Sequence, residues 1–128
     1  MNIQFEYDHH YFPSAPVLEM SVDGYSLVAG SVIVRALIDS GADGTMIPVQ
    51  VLNRIKADYI DSVRMSGVTG VAEQRDRYRV RIQIGDIVIH GVDAVAISMS
   101  DEAWIGRDVL NQLVVTLDGL AAETRITD

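Results

Sequence analysis

Ala36-Leu37-Ile38-Asp39-Ser40-Gly41-Ala42-Asp43 is the stretch on which the fold turns. Apolar residues suited to a buried strand run into a carboxylate, and the small residues Ser40, Gly41 and Ala42 then build a turn. Such a turn holds Asp39 in place, while its glycine lets another stretch of backbone approach closely. Taken alone, an Asp-Ser-Gly triplet is ordinary, because many strands end in an Asp and a Gly. The rest of the chain decides what it means.

Upstream, Val17 to Val22, Tyr25 to Ala29 and Ser31 to Ile38 alternate like strands, with Asp23-Gly24 and Gly30 as turns between them. Phe12-Pro13-Ser14-Ala15-Pro16 sets off a polar, aromatic N-terminal arm, residues 1–15, from a single domain at 16–128. Downstream, Val49, Leu52 and Ile55 recur at helical spacing. Tyr59 to Met65 and Gln74 to Ile84 predict a long hairpin broken at Gly67-Val68-Thr69-Gly70. In its second strand Tyr78, Val80, Ile82 and Ile84 share one face, and Arg77, Arg79, Arg81 and Gln83 share the other. Gly85-Asp86 turns into a further strand, Ile87 to Ile97. Arg107 to Leu113 predicts a helix, followed by the β-branched run Val114-Val115-Thr116-Leu117. No internal repeat interrupts this order. The expectation is an all-β domain with one or two short helices.

Composition narrows the function classes. At 128 residues with 48% hydrophobic content, the chain can bury a modest core of its own. A formal charge of -8 repels phosphate backbones and anionic lipid, so neither nucleic acid nor membrane is an expected partner. Cysteine is absent, which excludes disulfides, thiolate nucleophiles and cysteine-ligated metals. The first ten residues lack a basic flank ahead of an apolar run, and no apolar stretch reaches the roughly 18 residues of a membrane span. A soluble, cytoplasmic protein is expected.

Some sixty-five residues after Asp39, in the stated order, comes Trp104-Ile105-Gly106-Arg107-Asp108-Val109-Leu110. This segment, the Asp-Ser-Gly-Ala-Asp turn and the glycine-containing hairpin between them make the chain resemble the retropepsin family of aspartic peptidases, from about Pro16 to Gly119. The resemblance implies a half-barrel that works as a symmetric homodimer on a peptide or protein substrate, without metal or cofactor. It implies that Asp39 is the catalytic aspartate, that the Ser40 hydroxyl grips its mate across the dimer, and that Gly41 meets substrate with its backbone. Ala42, Asp43, Trp104 and Ile105 would line the substrate site, with Gly67, Val68, Thr69 and Gly70 at the tip of a covering flap. Asp43 would pair with Arg107, and Arg107 and Asp108 would support the site. Chemistry points the same way: one such carboxylate per chain cannot be general base and general acid in one step, so symmetry must supply a second Asp39. The competing expectation is a proteolytically silent, homodimeric peptide-binding or scaffolding domain.

Other patterns fail on inspection. Asp39, Asp43 and Gly44 match part of a calcium loop, but Gly41 and Gln50 stand where acidic ligands belong. Asp43-Gly44-Thr45 matches part of a phosphatase signature whose nucleophile position holds Gly41. His9, His10 and His90 are assigned no role. Arg75, Arg77, Arg79 and Arg81 line one strand face, either as a solvated face that resists edge pairing or as a stripe that steers acidic substrates. Relative to the viral pattern, Ser40 replaces Thr, Gly44 an acidic residue, Trp104 an aliphatic residue and Asp108 Asn, so specificity does not transfer.

Overall fold

A computed structural model describes residues 1–66, 70–98 and 100–127. The elements run β1 (Asn2–Glu6), β2 (Val17–Asp23), β3 (Ser31–Ile38), β4 (Met46–Pro48), α1 (Val49–Arg54), β5 (Asp58–Ser66), β6 (Ala72–Ile84), β7 (Ile87–Ile97), β8 (Ala103–Ile105), α2 (Arg107–Leu110), β9 (Val114–Asp118) and β10 (Glu123–Thr127). A seven-stranded sheet has the order β2-β3-β8-β4-β7-β6-β5, and a further β2–β6 pairing closes all but β5 into a barrel. β1, β10 and β9 form a separate three-stranded sheet.

The barrel follows from period-two alternation. Leu18, Met20 and Val22 of β2 and Val80, Ile82 and Ile84 of β6 are buried, and they meet Ile47, Leu52, Ile105 and Val109 in one core. The intervening arginines of β6 face outward, each set opposite an acid in the ladder: Arg77 against Asp61, Arg79 against Asp93, Arg81 against Asp23. Their ion pairs measure 2.6, 2.9 and 2.8 Å, and Arg75 pairs with Glu73 at 2.6 Å. The arginine stripe is therefore a cross-strand charge ladder and not a free basic patch. Between β6 and β7 the register slips by one residue beside Val80 and Ile82. Gly91, at φ +64°, sits in that β-bulge and turns His90 outward.

Several expectations are corrected. Tyr25 to Ala29 is a turn and not a strand: Tyr25 has φ +66°, its N–H donates to Asp23 Oδ1 at 3.0 Å, and Ser26 Oγ accepts from Val28 and Ala29 N–H. These local side-chain bonds outcompete the ladder. The N-terminal arm, residues 1–15, contains a strand: β1 pairs with β10 from Asn2↔Thr127 to Glu6↔Glu123 and packs Ile3 and Phe5 on the core. The loop after it is pinned by the buried Asp8, which accepts from His10 N–H at 2.9 Å, the His10 ring at 2.8 Å and Arg35 at 2.9 Å. The second helix stops at Leu110. Among the described residues no helix is long and apolar enough to cross a membrane.

Candidate active site

The site is built where β3 ends. Asp39 N–H donates to the Ile105 carbonyl at 2.9 Å, which ties the turn to β8, the parallel neighbour of β3. The Asp39 carbonyl accepts from Ala42 N–H at 3.2 Å, and its carboxylate Oδ1 accepts from Gly41 N–H at 3.0 Å. A Cβ on residue 41 would stand 3.2 Å from that oxygen, so glycine keeps the carboxylate uncrowded. The result is a half-exposed carboxylate fixed by its own turn, with Ser40 and Gly41 exposed beside it.

Beneath the turn lies Thr45, which sequence reasoning did not single out. It is fully buried, its Oγ1 donates to Asp108 Oδ1 at 2.7 Å and accepts from Gly106 N–H at 3.1 Å, and its own N–H donates to Asp108 Oδ2 at 3.1 Å. One hydroxyl thus joins the turn, β8 and the start of α2. Gly106 permits this closeness, because a Cβ there would lie 2.6 Å from the Gly44 carbonyl oxygen. The only sequence cue to Thr45 is a polar residue between a small-residue turn and the apolar Met46-Ile47.

Arg107 and Asp43 do not pair. The Arg107 guanidinium donates to the Ser40 carbonyl at 2.7 Å, while its N–H donates to the Ala42 carbonyl at 2.9 Å. The start of α2 faces the backbone of the turn, so a carbonyl meets the guanidinium and Asp43 is left exposed. Of the other expected site residues, strand parity buries Ile105 with Ala103 and turns Trp104, half-buried, to the other side of β8. Trp104 stands opposite Leu37 and Met46 in the ladders. Of the residues expected at a flap tip, Gly67, Val68 and Thr69 lie outside the described residues, and Gly70 adopts φ +77°. A cavity of about 500 Å³ opens beside Asp43 and Gly44, bounded by Val63, Arg64 and Met65 of β5, by the β7 bulge, and by Asp108 and Gln112.

Comparison with known proteins gives this arrangement its family. The model of the aspartyl protease family matches residues 20–118, from β2 through the Asp39 turn and the hairpin to the end of β9. The chain belongs to the aspartyl protease family. Among curated proteins no sequence matches. Among solved structures, the aspartyl protease chain is similar to a retropepsin-like aspartic protease from Rickettsia conorii, with TM-score 0.65 and 11% identity over 98% of this chain and 90% of that one. It is also similar to EIAV protease complexed with the inhibitor HBY-793, with TM-score 0.62 and 18% identity over 84% of this chain and 93% of that one. At such identities the likeness is one of fold, and the fold is retropepsin-like.

Proposed function

We propose that this member of the aspartyl protease family is a homodimeric endopeptidase whose water nucleophile is activated by two Asp39 carboxylates, one from each copy. The observation that carries the reading is the half-exposed Asp39 carboxylate, held by Gly41 N–H at 3.0 Å at the end of a barrel strand. Two carboxylates about 3 Å apart cannot both ionise, so the pair shares one proton, as in aspartic proteases generally. The ionised member takes a proton from water as its oxygen attacks the scissile carbonyl. The protonated member gives its proton to the carbonyl oxygen, and the tetrahedral intermediate then collapses with protonation of the departing amine. The apparent pKa values of such a dyad belong to the pair. An extended peptide suits the cleft, since strand-like main-chain pairing can hold it between the hairpin and the Asp39 floor.

Incubating the purified protein with a diverse peptide library at mildly acidic and neutral pH tests the reading, with Asp39→Asn as control. Cleavage by the wild type that disappears in the variant is the expected result. Cleavage surviving at a comparable rate places the activity elsewhere, and no cleavage by either protein leaves a silent peptide-binding dimer as the better reading.

A further inference from the structure

The loop between β1 and β2 is tied at several points. Asp8 and Ala15 close it with two backbone hydrogen bonds, 2.8 and 3.1 Å long, and the His9 ring meets Ser14 Oγ across it at 2.7 Å. Two more contacts fasten it to the barrel: Asp8 accepts from Arg35 of β3 at 2.9 Å, and the Tyr11 hydroxyl donates to Glu102, next to β8, at 2.6 Å. Yet Phe12, carried on this fixed loop, is 102% exposed. The loop is also rooted close to the Asp39 turn. The Pro16 carbonyl accepts from Ile38 N–H at 3.2 Å, one residue before Asp39, and Arg35 stands four residues, about 13 Å of strand, before it. The turn between β9 and β10, where Leu120 is 104% exposed, joins the start of the same loop through Tyr7 N–H, which donates to the Ala122 carbonyl at 2.8 Å.

We propose that Phe12 is an interface residue that seats against a second copy of this chain. The proposal rests on the two-carboxylate reading above. Two Asp39 carboxylates about 3 Å apart put the two-fold axis beside Asp39, so a loop rooted one residue away lies within reach of the partner copy, and symmetry makes the contact twice. An aromatic ring buries about 150–250 Å², and the symmetric pair thus supplies roughly a quarter of the ~1,600 Å² of a standard stable interface. Docking costs little order, because the backbone that carries the ring is already held. From His9 to Ser14 the loop has no acid, so it adds nothing to the repulsion between two copies of charge -8.

Sedimentation of the full chain over a range of concentrations, for the wild type, Phe12→Ser, Phe12→Leu and Leu27→Ser, tests the contact, with peptide cleavage measured on the same samples. Leu27 is the control, being 101% exposed in the turn that joins β2 to β3 at the end away from Asp39. The expected result is an equal melt for all four where they are monomeric, dimerisation at least about tenfold weaker in Phe12→Ser, a smaller loss in Phe12→Leu and none in Leu27→Ser. Cleavage by Phe12→Ser should fall at low protein concentration and recover, with KM unchanged, where the dimer is restored. Unchanged association of Phe12→Ser overturns the proposal, and a changed KM beside it assigns the ring to substrate instead. A lower melt of monomeric Phe12→Ser gives the ring a role within one chain and overturns the proposal, as does an equal loss of association in Leu27→Ser. A wild type that stays monomeric overturns the contact and the proposed pair of carboxylates together. A dimer that Phe12→Ser weakens but that cleaves no peptide supports the contact and refutes the peptidase reading.

Discussion

Thr45 is the residue that converts a short turn into a rigid site. Its hydroxyl serves Asp108 and Gly106 at once, so Thr45→Val leaves the buried Gly106 N–H without a partner and removes one of the two donors to Asp108 Oδ1, which keeps Val109 N–H at 2.9 Å. A buried polar group left without a partner costs about 1–3 kcal/mol, and the loss should appear as a lower denaturant midpoint with an unchanged slope. An unaltered midpoint would mean that water replaces the hydroxyl. Asp8 makes a second residue-scale case. Hydrogen bonds from His10, first from its backbone and then from its ring, together with Arg35 outweigh burial and draw the Asp8 carboxyl from its ordinary 3.8 down to about 2. A folded-state pKa below the unfolded one means that the contribution to stability is complete above about pH 4 and is lost as pH falls toward 2. The gap in melting temperature between wild type and Asp8→Asn should therefore be constant near neutrality and close between pH 4 and 2. A gap that persists at pH 2 would count against the ionised role of Asp8.

At the scale of elements, the exposed edge of the three-stranded sheet carries the next consequence. Among the described residues β9 pairs on one side only, with β10, and Val114 and Leu117 are 55% and 51% exposed along it. An apolar, unpaired edge is a template for another strand, and the homodimer proposed here needs a contact that brings two copies together. Leu117→Lys should leave the fold intact, because the side chain is already in solvent, and weaken self-association at least about tenfold. Sedimentation at several concentrations reads the outcome, and association unchanged by Leu117→Lys would move the interface away from β9. The sequence suggested this strand from the run Val114 to Leu117, yet it left β10 unseen, so it could not say that one edge of β9 is already taken.

For the whole molecule, charge and symmetry act against each other. Two copies each carrying a formal charge of -8 repel at neutral pH, while the proposed active site is incomplete until they meet. Added salt screens this repulsion, so dimerisation should tighten between about 0.01 and 0.15 M ionic strength, as the screening length falls from about 30 to about 8 Å. Peptidase activity at low protein concentration should rise over the same range. Weaker association with added salt would point instead to an interface held by opposite charges.

Much of the fold was legible because its signals are local. Alternation in β2, β3, β6 and β7, the turn chemistry of Gly85-Asp86, and the helical spacing after Pro48 each declare themselves within a few residues. The Asp39 turn was legible for the same reason, since a strand that ends in Asp-Ser-Gly is a local pattern. What the tertiary structure decided are partnerships between residues far apart in the chain. Arg107 meets the Ser40 carbonyl and not Asp43, Thr45 meets Asp108, β1 meets β10, and Arg77, Arg79 and Arg81 of β6 meet acids on β5, β7 and β2. Hydrogen bonds and ion pairs act over a few ångströms in space, and separation along the chain does not reveal which groups folding will bring within that range.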